Sequence, residues 1–308
     1  MSRERQTSDT VLLVRPAAFG FHAEAATTNA FANASRGADT QLRASAEFDA
    51  LSRRLSDAGV NVLILKDQPR PAKPDALFPN NWVSFHSDGT IVLYPMATAA
   101  RRLERNAAHL VNLLEAEGFE VERTIDLSSS EEQGRFLEGT GSLILDRPHR
   151  RAFANRSPRT HPEAIAEFDT RLGYSTFVFD ASDRSGQPIY HTNVLLSLGT
   201  RFAVLCSEIV SDESRPRLME RLRETERELI EVDYEQMRGF ACNILEIRSN
   251  SGEPIVAMSS TALNSLKPQQ RRQLGRHASL VEVPIPTIER VGGGSVRCMI
   301  ADVHLPRR

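Results

Sequence analysis

Short apolar runs rich in Val, Ile and Leu alternate along the chain with longer stretches in which apolar positions return every three to four residues. This alternation predicts an α/β protein. "VLLVRPAAF" (11–19) reads as a strand, and "SAEFDALSRRLSDAGV" (45–60) as a helix with Phe48, Leu51 and Leu55 on one face. Gly59 suits that helix's C-terminal end, and "NVLILK" follows as a second strand. "NNWVSFHSDGTIVLYPM" reads as a hairpin turning at Ser87-Asp88-Gly89, followed by a helix in "RRLERNAAHLVNLLEAEG" and a strand in "FEVERTI". A third unit turns at Asp146 to Arg150 and continues through "PEAIAEFDTRLG" to "YSTFVF". A fourth turns at Gly199-Thr200 and runs through a helix in "PRLMERLRETERELI". The fifth turns at Asn250 to Gly252, passes through "PQQRRQLGRH" to "SLVEVPI", and leaves "VRCMIADVH" as a last strand.

The opening strands of these units start near residues 81, 141, 193, 243 and 298, at intervals of 50 to 60 residues. A repeated unit cannot hide its apolar face alone, so five copies must pack on one another. If the last strand joins the first, the ring closes. The expected architecture is a five-bladed α/β propeller with pseudo-fivefold repeats around a central site, in one catalytic domain over residues 1–308. A doubly wound parallel sheet shares the alternation, but parallel crossovers do not use the two-residue turns found inside most repeats. The Pro-rich "DQPRPAKPD" (67–75) reads as a surface loop between repeats.

Composition narrows the function classes. With 40% hydrophobic residues, 25% charged residues and a net charge of −2, the chain has globular composition and lacks the basic excess of a nucleic-acid binder. Cysteines at 206, 242 and 298, without a CxxC pair, argue against a disulfide frame or structural zinc and for a reducing compartment. The polar start "MSRERQTSDT" and the lack of a long apolar run make a cytoplasmic location and a small-molecule partner the expectation, with no membrane role. A homo-oligomer is left open.

If the units share one plan, equivalent points of the opening strands converge on the axis. Those points carry Asn80-Asn81, Glu138-Gly139, His191-Thr192-Asn193, Cys242-Asn243 and Cys298. A thiol, an imidazole and a carboxylate are the parts of nucleophilic catalysis with a general acid/base. "GGGSVRCM" (292–299) sets Cys298 behind three glycines, which let backbone approach a ligand closely and expose amide N–H groups. Cys206 reads as a small core hydrophobe, and Cys242 as a strand residue. No metal-binding pair of motifs and no phosphate loop occurs, so no metal or cofactor is expected.

"FLEGTGSLIL", "YHTNVLLSL" and "GGGSVRCM", in that order, resemble the Glu, His and Cys motifs of the guanidine-modifying superfamily. That superfamily comprises arginine deiminases, dimethylarginine hydrolases, agmatine deiminases, succinylarginine dihydrolases and amidinotransferases, whose fold is a five-bladed propeller. "FPNNW", "EGTGS" and "HTN" are most similar to citrulline-utilisation hydrolases within it. The resemblance implies that Cys298 is the nucleophile, His191 the general acid/base and Glu138 the carboxylate that binds substrate N–H groups. Two aspartates that grip the guanidinium in arginine deiminases are replaced here by Asn81 and Asn193. An asparagine amide matches a neutral ureido group, which has both an acceptor and donors, better than it matches a cation. The resemblance also implies that Arg156, and Arg101 or Arg102, bind the substrate carboxylate through a guanidinium fork.

The expected reaction is therefore hydrolysis of citrulline to ornithine, carbon dioxide and ammonia through a covalent cysteine intermediate, without metal or cofactor. Oxyanion stabilisation is expected from amides near the glycine run. The alternatives are hydrolysis of a guanidino compound such as arginine, dimethylarginine or succinylarginine, amidino transfer to an amine, or a non-catalytic amino-acid-binding module.

Overall fold

A computed structural model describes residues 4–34 and 39–308. Among them are five three-stranded sheets of one plan. The first joins β1 (Thr10–Arg15) and β2 (Asn61–Lys66) to the two-residue β15 (Ala301–Asp302) from the far end of the chain. The second contains β3 (Val83–Phe85), β4 (Thr90–Leu93) and β5 (Arg123–Asp126), and the third β6 (Ile144–Asp146), β7 (Arg151–Asn155) and β8 (Ser175–Phe179). The fourth contains β9 (Leu196–Leu198), β10 (Phe202–Leu205) and β11 (Glu228–Glu231), and the fifth β12 (Leu245–Arg248), β13 (Pro254–Ser259) and β14 (Ser279–Val283).

In every sheet the central strand is antiparallel to one neighbour and parallel to the other. The antiparallel neighbour is reached by the tight turns read from the sequence in four sheets. A parallel neighbour needs a crossover, and each crossover carries a helix. In the first this is Thr40–Asp57, whose Ala44, Phe48, Leu51 and Leu55 are buried against the sheet. Full burial of side chains such as Phe48 contributes ~1.5–3 kcal/mol each. The pseudo-fivefold arrangement expected from the repeat spacing is present, and β1 pairs with β15 to close the first sheet, Val11 opposite Asp302.

Four local expectations change. The first helix starts at Thr40, five residues before the periodic stretch. The helix expected over 101–118 is two, Ala99–Arg102 and Ala107–Ala116, with Asn106 capping the second through His109 N–H. The fourth crossover helix is Arg215–Arg223, and "ELIE" leaves it to become β11, because Leu229 and Ile230 pair with Ala203 and Val204. "VRCM" is a short helical turn (Val296–Met299), not strand.

That turn has counterparts. Pro79–Asn81, Gly139–Ser142 and Thr192–Val194 each precede the first strand of a sheet, and Asn243 N–H closes a turn on Phe240 O at 2.8 Å before β12. Hydrogen bonds link these turns in sequence around the axis. Thr140 Oγ1 donates to Asn80 O (3.3 Å), Thr192 Oγ1 to Ser142 O (2.6 Å) and Asn243 Nδ2 to Asn193 O (3.3 Å). All the residues concerned are buried, so each of these polar groups must find a partner within the protein.

Candidate active site

Cys298 lines a small, partly open cavity shared with Asn81, Arg101, Arg159, Tyr190, His191, Asp75, Gly292 and Gly294. The glycines have a different task from the one their sequence suggests. Gly292 ends a helix (Pro286–Gly292), and Gly293, at φ 66°, is its left-handed cap. A side-chain carbon on Gly293 would strike the backbone of Ala32 and the amide of Asn29, and one on Gly294 would lie 2.9 Å from the Phe78 ring. The run thus lets the 29–32 segment and Phe78 close against the cavity wall. The amide of Cys298 donates to Ser295 O at 3.0 Å, so it is already committed within the turn.

His191 Nε2 and Glu138 Oε2 are 2.8 Å apart, with both residues buried. Glu138 also accepts from Ala97 N–H and pairs with Arg159 at 3.3 Å and with Arg101 at 3.8 Å. Burial pushes the Glu138 carboxyl up, but Arg159, His191 and Arg101 together hold it well below the carboxylate range. An ionised carboxylate only accepts, so Nε2 of His191 carries the proton and Nδ1 is bare. Burial pushes His191 down to about 4, because the pull of Glu138 is outweighed by desolvation and by the two arginines. The imidazole is therefore neutral at pH 7. Its Nδ1 faces Gly141, where an added carbon would lie 2.8 Å away and would also collide with Asn81 Nδ2.

Asn81 and Asn193 both stand at the axis. Arg101 Nη1 donates to Asn81 Oδ1 at 2.7 Å. A guanidinium cannot accept, so the Asn81 amide is fixed with its oxygen on Arg101 and its nitrogen, which has no partner among the described residues, free to donate. Asn193 Nδ2 lies 3.5 Å from Cys298 Sγ. Asn243, which the motif reading passes over although its repeat position marks it, brings Nδ2 to 3.2 Å from the same sulfur.

The arginines divide differently from the expectation. Arg156 does not line the cavity; it is half exposed and pairs with Asp180 at 2.9 Å on the surface. The residue three positions on, Arg159, is buried and turns inward, bonding Thr28 Oγ1, Ala25 O and Glu138, with its guanidinium over the Tyr190 ring. Its strand-end neighbourhood, "RSPRT", offers two arginines and no periodicity to choose between them. Arg101 does reach the cavity, but its donors go to Glu104, Asn81 and Phe78 O. Arg102 bonds Met96 O and pairs with Glu131 away from the cavity. The Pro-rich segment is no plain surface loop either. Lys73 and Asp67 form a buried ion pair at 2.9 Å, and Asp75 lines the cavity, held by His22 Nδ1 at 2.7 Å. Burial pushes His22 down, but the Asp75 carboxylate more than restores it.

A sequence-family match spans nearly all of this architecture: residues 15–305 fit the family described as N,N-dimethylarginine dimethylhydrolase, eukaryotic. The chain belongs to the dimethylarginine dimethylhydrolase family. No curated protein sequence matches it. Its fold is similar to that of the N-terminal domain of ArgZ, an arginine dihydrolase from the ornithine-ammonia cycle in cyanobacteria, solved as a cysteine-to-serine mutant bound to substrate. The TM-score is 0.75 at 16% identity, covering 96% of this chain and 97% of that one. AgrE, in a binary complex with L-arginine, gives 0.75 at 18% identity, although this chain spans only 40% of its length. A dimethylarginine dimethylhydrolase from Pseudomonas aeruginosa, complexed with citrulline, gives 0.66 at 14% identity and 96% and 99% coverage.

As a member of the dimethylarginine dimethylhydrolase family, the protein is a cysteine-dependent hydrolase of non-peptide carbon–nitrogen bonds in amidine or ureido groups. Of its three cysteines, Cys206 and Cys242 lie in an apolar cluster, where burial pushes the first up to about 12 and the second well above the thiol range. Cys298 is the cysteine that shares a cavity with an imidazole. Among the described residues no cluster of three or more His, Cys, Asp or Glu is placed to hold a metal, and no helix is long and apolar enough to cross a membrane.

Proposed function

We propose that the protein hydrolyses the ureido group of citrulline, giving ornithine, carbon dioxide and ammonia, with Cys298 as nucleophile. The observation that carries this reading is the fixed amide of Asn81. Its oxygen already accepts from Arg101, and its nitrogen, without a partner among the described residues, is left to donate. A ureido carbonyl accepts that bond, whereas a guanidinium, all donors, would leave it unmade at a cost of ~1–3 kcal/mol. The charges agree. Glu138 is already matched by Arg159 and hydrogen-bonded to the neutral His191, and Glu104 is matched by Arg101, so neither carboxylate is left free for a cation. In the same cavity, Arg159 and Asp75 suit the carboxylate and ammonium of an amino acid.

In this mechanism the thiol proton passes to Nδ1 of His191, and the sulfur attacks the ureido carbon while Asn81 donates to the carbonyl oxygen. The carbon–nitrogen bond to the terminal amide breaks, and the imidazolium, steadied by Glu138, returns its proton to the departing ammonia. Water then attacks the thiocarbamate carbon, giving a proton to His191. The carbon–sulfur bond breaks, the thiol is regenerated, and the N-carboxy amine loses carbon dioxide. The second reading, hydrolysis of arginine or a methylated arginine, is favoured by the family match. It uses the same thiol and would generate the ureido group as its product.

The test is ammonia release from citrulline, arginine, dimethylarginine and N-succinylarginine, with ornithine assayed as product. Citrulline is expected to give the highest kcat/KM, and Cys298→Ala to abolish turnover. Faster turnover of arginine or dimethylarginine than of citrulline would overturn the proposal in favour of the second reading.

A further inference from the structure

Asn243 stands in the axial turn before β12, outside the motifs that carry the family resemblance. Its side chain is buried, and Nδ2 reaches both Asn193 O at 3.3 Å and Cys298 Sγ at 3.2 Å. A backbone carbonyl only accepts, so the contact with Asn193 O fixes which end of the amide is nitrogen. Oδ1 lies 3.6 Å from the same sulfur. Among the described residues, the hydrogen-bond donors to Sγ are Asn243 and, at 3.5 Å, Asn193.

An attacking sulfur needs its negative charge stabilised, and the usual partner for a thiolate is an imidazolium. Here the imidazole is neutral in the resting site. The other groups around the cavity are committed elsewhere. Arg101 is spent on Glu104, Arg159 pairs with Glu138, Asp75 is held by His22, and Tyr190 donates to Gly293 O at 3.0 Å. Arg297, buried next in sequence to Cys298, donates to Ile300 O and has its nearest carboxylate, Asp302, at 3.9 Å, one that Arg147 and His304 already occupy. None of these donates to the sulfur.

We propose that Asn243 is a positioning residue for Cys298, whose amide N–H orients the sulfur and stabilises its anion without adding charge to the pocket. This rests on Cys298 being the nucleophile. A neutral donor has a further consequence: the sulfur is prepared before substrate binds, and an uncharged substrate need not bring a cation to assist it. This one amide suits both states of the sulfur, since its Nδ2 donates to the anion while its Oδ1 lies within reach of the S–H.

The experiment is the rate of Cys298 alkylation by iodoacetamide against pH, in the wild type and in Asn243→Asp and Asn243→Ala, with Cys298→Ala as the blank and citrulline kinetics alongside. Asn243→Asp puts a carboxylate where the donor was, and the alkylation midpoint is expected to move alkaline by at least about one pH unit. Asn243→Ala, which removes the donor alone, is expected to move it in the same direction by less, with kcat lowered more than KM is changed. A merely structural role would lower stability and leave the midpoint in place. If both variants fold and keep the wild-type midpoint, the proposal falls; should Asn243→Asp fail to fold, Asn243→Ala alone decides. Turnover surviving in Cys298→Ala would instead bring down the assignment of the nucleophile, and this inference with it.

Discussion

Arg156 and Arg159 are three residues apart in one loop, and replacing each by alanine separates a surface charge from one that holds the site together. Arg156 and Asp180 are 53% and 49% exposed, and pairs of that kind contribute ~0–1 kcal/mol. Arg159 and Glu138 are 3% and 0% exposed, and removing one partner of a buried pair costs ~3–5 kcal/mol. Arg159→Ala also strips Thr28 Oγ1 of its donor and removes one of several donors to Ala25 O. Burial already pushes the Glu138 carboxyl up, and Arg159 is the largest force opposing it, so the variant's Glu138 should take a proton more readily. His191 responds in the same sense: burial dominates its depression to about 4 and Arg159 adds to it, so loss of the arginine raises its proton affinity. The assays are urea unfolding at pH 7.5 and kcat/KM for citrulline from pH 5 to 9. Arg156→Ala should stay within about 1 kcal/mol of wild type, with turnover within about twofold. Arg159→Ala should lose at least ~3 kcal/mol and at least about a hundredfold in kcat/KM, and the acid limb of its residual activity should shift to higher pH. Equal effects of the two substitutions, or a stable and fully active Arg159→Ala, would refute the reasoning.

Three further outcomes follow from the same geometry. Gly141→Ala drives a methyl group against Asn81 Nδ2 and His191 Nδ1, and should cut turnover by at least about a hundredfold while the protein still folds, as followed by circular dichroism and ammonia release. Asn81→Asp removes the buried N–H and adds a carboxylate, so citrulline turnover should fall while arginine, assayed in competition, gains relative to it. In acid, His191 acts through linkage. Its folded affinity is depressed to about 4, so above the ordinary histidine range neither state is protonated, and below about 6.5 the unfolded chain binds a proton that the folded site refuses. That erodes stability by ~1.4 kcal/mol per pH unit down to about pH 4, and His191→Gln should therefore lose less stability than wild type between pH 7 and pH 5 in urea titrations. An equal or steeper loss in the variant would refute it.

What the sequence determines by itself is whatever local pattern and repetition can encode. The 50–60-residue spacing of like strands, the turns at Gly89 and Gly199, and the helical face of Phe48, Leu51 and Leu55 require five repeats that close on themselves, because none can bury its apolar side alone. Repetition also marks the axial positions, Asn81, Gly139, Asn193, Asn243 and Cys298, since equivalent residues of a ring must meet at its centre. Tertiary structure alone decides what lies between the repeats. Arg159 rather than Arg156 turns inward because Glu138, Thr28 and Ala25, from distant parts of the chain, form its partners there. Asp75 enters the cavity from a Pro-rich loop because His22 and the buried Lys73–Asp67 pair tie that loop down. The glycines before Cys298 admit Phe78 and the 29–32 segment, partners more than 200 residues away that no local pattern could announce. A side chain's direction and the ownership of its charge are set by the sum of its neighbours, and that sum exists only once the ring has closed.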